Sequence, residues 1–154
     1  MSEHSGDPRS FILDSSVAVK WYLPEEEHEE AAGLLRRAES EELTLLAPST
    51  IYPEFFNALW QQHSREGLPL EEMRASWEQF AIDPVFLYAP EDLMHRGAEI
   101  AFDSGAIIYD ALFLALAEDA ETVMITADDK LLKALRGTEY ARLAHSLRKV
   151  GSLL

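Results

Sequence analysis

An α/β domain with a mainly parallel central sheet is what the sequence predicts, and three observations predict it. Short apolar runs (Phe11–Leu13, Leu43–Ala47, Val85–Tyr88, Thr122–Thr126) alternate with longer stretches of helical periodicity, the pattern of repeated βα units. The chain has 154 residues, which suits a single domain. It is 47% hydrophobic and 10% aromatic, too apolar for a disordered acidic segment. No internal repeat, low-complexity tract or interdomain linker interrupts it. Residues 1–9 read as a flexible extension and 10–150 as the folded domain.

Each element has its own signal. Phe11-Ile-Leu13 reads as a buried strand that ends at Asp14. From Ser15 to Leu23 apolar residues recur at helical spacing until Pro24 stops the helix. A second helix spans 26–38, with Ala31, Leu34, Leu35 and Ala38 as its buried stripe. The acidic run Glu25-Glu26-Glu27 is expected to open it, at the positive end of the helix dipole. Leu43–Ala47 is a second strand, followed by a helix over 50–65 that leaves at Gly67 and Pro69. Phe55, Phe56, Leu59 and Trp60 are expected to supply its buried sides. Leu70–Ile82 reads as another amphipathic helix and Val85–Tyr88 as a third strand. Pro90 opens a helix over 91–103 that ends near Gly105. Ile108–Asp119 is apolar almost all round, as a core helix must be. Thr122–Thr126 is a fourth strand, 128–135 a helix, and 142–145 a short last strand.

Composition excludes several chemistries. With no cysteine there is no disulfide framework, thiol nucleophile or thiolate metal site. No apolar run approaches the ~18 residues of a membrane span, and Met1–Ser10 has no signal-peptide core, so a cytoplasmic protein without membrane contact is expected. The five histidines have no zinc-binding spacing. No glycine-rich phosphate loop is present, which removes nucleotide cofactors. The formal charge is −15, and a strongly acidic chain lacks the usual footprint of a nucleic-acid binder. That charge is uneven, however: residues 1–129 carry 27 acids and 7 bases, and 130–154 carry 1 acid and 6 bases. The basic tail is either a solvated terminus or the flank of a polyanion site.

Four carboxylates, Asp14, Glu54, Asp110 and Asp128, each fall at a strand exit or in a first helical turn. Each has a mundane explanation as a cap or a first-turn acid, and Thr126 with Asp129 reads as a capping box. Together they form a different pattern. In a parallel α/β sheet, strand exits and the helices that follow converge on one crevice. Ionised carboxylates gathered there repel one another unless a proton or a cation joins them. Carboxylate oxygens suit Mg²⁺ or Mn²⁺. Glu54, Asn57 and Gln61 are spaced to give their helix one polar stripe. Ser16 and Thr126 offer hydroxyls that can orient the acids.

These blocks resemble the PIN-domain ribonucleases, and among them the VapC-like toxins of type II toxin–antitoxin systems. The resemblance rests on Asp14-Ser-Ser-Val-Ala-Val-Lys-Trp21, on Pro53-Glu54-Phe-Phe-Asn57-Ala-Leu59, on Tyr109-Asp110-Ala-Leu-Phe-Leu-Ala-Leu-Ala117 and on Ile125-Thr-Ala-Asp128. It implies a three-layer α/β/α PIN-like domain and an acidic site binding Mg²⁺ (or Mn²⁺). Asp14, Glu54, Asp110 and Asp128 would be the catalytic, metal-binding carboxylates, with Ser16, Asn57 and Thr126 in support. It further implies an RNA substrate, a cognate VapB-like antitoxin as partner, and a homodimer. Trp21, Phe55, Trp60 and Trp77 are the apolar residues expected at such interfaces. The rival readings are a catalytically silent PIN-like protein- or RNA-binding module and a phosphotransfer enzyme with Asp14 as acceptor. Intact carboxylates speak against the first; Ser16 speaks against the second, since haloacid-dehalogenase-type phosphatases place an Asp at that position.

Overall fold

The computed structural model describes residues 9–154; residues 1–8 of the expected extension lie outside them. Five parallel strands form one sheet: β1 (Arg9–Leu13), β2 (Leu43–Pro48), β3 (Val85–Tyr88), β4 (Met124–Thr126) and β5 (Ala144–Ser146). Arg9, assigned by the sequence to the extension, therefore already belongs to β1. The strand order is β3-β2-β1-β4-β5, and every neighbouring pair is parallel.

Helices link the strands. α1 (Ser15–Ala18) and α2 (His28–Glu39) join β1 to β2, and α3 (Ile51–Glu66) and α4 (Leu70–Phe80) join β2 to β3. α5 (Met94–Ser104) and α6 (Ile108–Asp119) lead back to β4, and α7 (Asp129–Leu135) precedes β5. The chain steps outward from β1 through β3, then crosses to the other side of β1. Right-handed crossovers therefore put α1–α4 on one face and α5–α7 on the other, a three-layer α/β/α arrangement. The contacts agree: α2 packs on β2 and α3 on both α1 and α4, while α6 lies across β1, β2 and β4 with α5 on its back.

Burial follows the sequence periodicity. Ala111 through Ala117 are all buried, so α6 is enclosed on every side. α3 buries Ile51, Phe55 and Leu59, a stripe at four-residue spacing. Phe56 and Trp60, expected in its buried sides, are instead exposed. An aromatic cluster fixes α4 on α3: Phe55 stacks on Phe80 at 4.1 Å, and Tyr52 meets Trp77 and Phe80 edge-on at 5.6 and 5.5 Å. Such pairs contribute about 0.5–1.5 kcal/mol each beyond their buried area. Trp21 and Phe55 belong to this core, which removes them from the expected interface residues.

The helix predicted from Ser15 to Leu23 is shorter. It is α-helical to Ala18 and tightens into a 3-10 turn over Val19–Trp21, where the Trp21 indole N–H donates to the Ala31 carbonyl at 2.8 Å. The acidic run does not fill the first turn of α2, which holds Glu29 and Glu30. Glu27 is the N-cap, in a left-handed conformation (φ 59°), and with Glu25 it faces the Lys20 ammonium at 4.0 and 3.4 Å. Among the described residues no single helix is long and apolar enough to cross a membrane.

Candidate active site

The strand order reverses between β1 and β4, and at that switch point the carboxyl ends of the two strands open a crevice. Register makes the meeting specific. Ile12 pairs with Met124 and Leu13 with Ile125, so Asp14 comes level with Thr126, and its backbone N–H donates to the Ile125 carbonyl at 3.2 Å.

Asp14 is only 5% exposed. Its Oδ2 accepts from the Ser16 hydroxyl at 2.6 Å and the Thr126 hydroxyl at 2.7 Å. Burial drives its pKa up; those two hydroxyls draw it down, and the neighbouring Asp128 raises it. The same hydroxyls hold the β4 exit, since Ser16 Oγ accepts from Ala127 N and Thr126 Oγ1 from Asp128 N, both at 3.0 Å. Asp14, Ser16, Thr126 and the backbone leading to Asp128 are one hydrogen-bonded unit. Both hydroxyls singled out from the sequence contact the Asp14 carboxylate.

Asp128 is itself the N-cap of α7: its Oδ1 accepts from Lys130 N at 3.0 Å and Leu131 N at 3.1 Å. The capping box expected of Thr126 and Asp129 does not form; Asp129 instead pairs with Arg148 at 3.2 Å. Capping and site membership are therefore compatible in Asp128, because one carboxylate oxygen does the capping.

Glu54 sits in the first turn of α3. Ser15 donates to its Oε1 at 3.3 Å, while its Oε2 and the nearby Thr50 Oγ1 are buried without a hydrogen-bond partner. Burial first, and then the charges of Asp14 and Asp110, push its pKa up to about 7. Asp110, in the first turn of α6, is raised to about 6 by burial, Asp14 and Asp128. The acids are thus within electrostatic reach of one another although they come from four separate elements. Asn57, one turn along α3, is exposed and makes no side-chain hydrogen bond among the described residues. Gln61 lines a separate cleft of about 290 Å³ with Val19, Leu23 and Arg65. Among the described residues the expected polar stripe makes its hydrogen bond at the site through Glu54. Ser15 and Thr50 were not singled out from sequence, and only the pairing of serines at 15 and 16 hinted at the first.

Of the six tail bases, Arg148 comes beside the site through Asp129 and also lies 3.7 Å from Glu27. Arg142 turns away to Glu118 on α6.

The donor set can be tested against a divalent cation. All four candidate ligands are hard carboxylates, their charges oppose one another, and one buried carboxylate oxygen of Glu54 lacks a partner. Among the described residues no three acidic or histidine side chains close into a ready-made cage. Few protein ligands with several waters is the habit of Mg²⁺, so the residues fit a hydrated Mg²⁺ or Mn²⁺.

Comparison with known proteins bears on the fold and the family. Ribonuclease VapC3 of Pyrobaculum aerophilum is 31% identical over 125 residues, covering 78% of this chain and 90% of that protein. The crystal structure of PAE2754 from Pyrobaculum aerophilum superposes with a TM-score of 0.64 at 18% identity, covering 96% of this chain and 91% of its own. A toxin–antitoxin complex from Klebsiella pneumoniae gives 0.60 at 14% identity, covering 89% and 97%; at these identities the two structures speak for the fold. The PIN domain profile matches residues 11–136, which takes in the β1–β4 crevice and all four carboxylates, and the chain belongs to the PIN-domain family.

Proposed function

We propose that this chain is a divalent-metal-dependent endoribonuclease that hydrolyses RNA phosphodiester bonds and acts as the toxin of a toxin–antitoxin pair. The observation that carries the reading is the buried Asp14, fixed by two hydroxyls at the switch point and electrostatically coupled to Glu54, Asp110 and Asp128. A fixed group of mutually repelling carboxylates does nothing for stability, and it suits cation binding. The ribonuclease relative supports the activity, and its name the toxin role.

When bound, a divalent cation would supply a water acidic enough to attack near neutral pH and would offset charge on the phosphodiester. Asp14 would hold it, its geometry preset by Ser16 and Thr126. Asp128 would offer the oxygen left over from capping α7, and Asp110 and Glu54 would complete the acidic wall. Glu54, with its pKa lifted toward neutrality, is the side chain best suited to exchange a proton at the site. No cysteine is available and among the described residues no serine–histidine pair lies at the crevice, so the reading is hydrolysis without a covalent enzyme intermediate. The partners in this reading are an RNA substrate, a VapB-like antitoxin and a second copy of the chain. The exposed Phe56, Trp60 and Leu70 between α3 and α4 are apolar surface available to a protein partner.

The test is cleavage of RNA by the purified, antitoxin-free protein. Cleavage should require Mg²⁺ or Mn²⁺, stop with EDTA, and vanish in Asp14→Asn with the fold retained by circular dichroism. Metal-independent cleavage, or full activity in Asp14→Asn, would sink the reading.

A further inference from the structure

The first turn of α6 is partly open to solvent. From Ala111 to Ala117 the helix is buried, but Ile107 is 63% exposed and Tyr109 54% exposed. The Tyr109 ring takes no part in the aromatic pairs of the core. Its hydroxyl makes no hydrogen bond among the described residues. Packing therefore does not account for a large aromatic at this position, and tyrosine is only a middling helix former. Position does. Tyr109 immediately precedes Asp110, about 3.8 Å away along the backbone, and the Asp110 carboxylate feels the charges of Asp14 and Asp128. An exposed ring therefore stands one residue along α6 from a carboxylate of the acidic group.

Charge gives that ring a use. The chain carries −15, and two cations shown near the crevice are already engaged. Lys20 lies against Glu25 and Glu27, and Arg148 against Glu27 and Asp129. Phosphate attraction, the usual source of RNA affinity, is weak on such a surface. Stacking on an exposed aromatic is uncharged, tolerant of base identity and well suited to single strands.

We propose that Tyr109 stacks on a nucleobase of single-stranded RNA next to the phosphate held at the carboxylates, with Ile107 widening the same apolar platform. The proposal rests on the ribonuclease reading and names how that site holds its substrate.

A single-stranded RNA oligonucleotide of mixed sequence carrying 2-aminopurine tests it, because stacking quenches that base. In the Asp14→Asn background, binding should quench the fluorescence. Adding Tyr109→Ala should remove the quench and weaken binding by about 5- to 100-fold. Tyr109→Phe should keep both. In the active enzyme, Tyr109→Ala should raise KM while kcat holds, and the defect should persist at high salt, unlike the loss of an ionic contact. Unchanged binding and KM in Tyr109→Ala would overturn the proposal while leaving cleavage by the wild-type chain, and so the ribonuclease reading, intact. A fall in oligomer mass on Tyr109→Ala, with the quench retained, would also overturn it and make the platform a contact between copies. A wild-type chain that neither binds nor cleaves RNA removes both.

Discussion

Thr126 joins two strand exits through a single hydroxyl, donating to the Asp14 carboxylate and accepting from the Asp128 N–H. Valine has nearly the same shape without that hydroxyl. Thr126→Val should therefore destabilise the chain by about 1.5–3 kcal/mol in urea unfolding near pH 8, the range for a hydrogen bond to a charged group. Thr126→Ser should recover most of the loss. Equal stability of Val and wild type would mean that Asp14 is not held as described. At this scale much of the candidate site was legible in the sequence. Asp14, Ser16, Thr126 and Asp128 declare themselves because a parallel strand pair brings its two exits level, whatever else surrounds them. Ser15 did not declare itself, since its approach to Glu54 depends on how α3 docks, and nothing local encodes docking; Thr50, the N-cap of α3 four residues before Glu54, is a neighbour that helical spacing does encode. Asn57, which helical spacing places on the Glu54 side, is exposed and makes no side-chain hydrogen bond among the described residues.

Two helices approach closely where α5 crosses α6. A Cβ built on Gly97 would meet Leu112 Cδ2 at 3.0 Å, so the contact is set by the missing side chain. Gly97→Ala should be near neutral, because its gain in helix propensity of about 1 kcal/mol is set against that contact. Gly97→Val should overpack the interface and lower stability by about 1–3 kcal/mol, read as an earlier urea midpoint with an unchanged slope. The strands and helices themselves were readable from periodicity, with Val85–Tyr88 matching end for end. The misses lie where tertiary contacts decide. Thr122 and Val123 read from sequence as part of the fourth strand, yet β4 starts at Met124; the Val123 carbonyl still accepts from Ile12 N at 3.0 Å, and the Thr122 hydroxyl donates to the Ser10 carbonyl at 2.6 Å. Phe56 and Trp60 look like core because α3 is apolar on more than one side, and periodicity alone does not say which side a neighbour covers.

Across the whole molecule the carboxylates set a pH dependence. Glu54 rises from 4.5 to about 7 and Asp110 from 3.8 to about 6, so the folded chain binds protons more tightly than the unfolded one. Stability then falls as pH rises from about 4 to about 7.5, where the folded state must give up protons that the unfolded state has already lost. Metal-free protein should melt at a lower temperature at pH 8 than at pH 5.5 by differential scanning fluorimetry, and millimolar Mg²⁺ should recover part of that loss at pH 8. A melting temperature indifferent to both pH and Mg²⁺ would count against a coupled acidic site. The net charge of −15 pointed away from nucleic acid when taken as a single number. Its distribution was the informative quantity, because four of those charges converge on one crevice. That convergence also has a consequence in time. Asp14 and Thr126 lie 112 residues apart, and β4 is the strand that completes the β1 edge of the crevice. While a ribosome is still making the chain, β1 can pair with β2, but the hydroxyl, the Asp128 carboxylate and the α7 cap all wait for the segment after residue 123. Until that segment emerges, Asp14 lacks one of its two hydroxyl donors and the crevice lacks one of its acids.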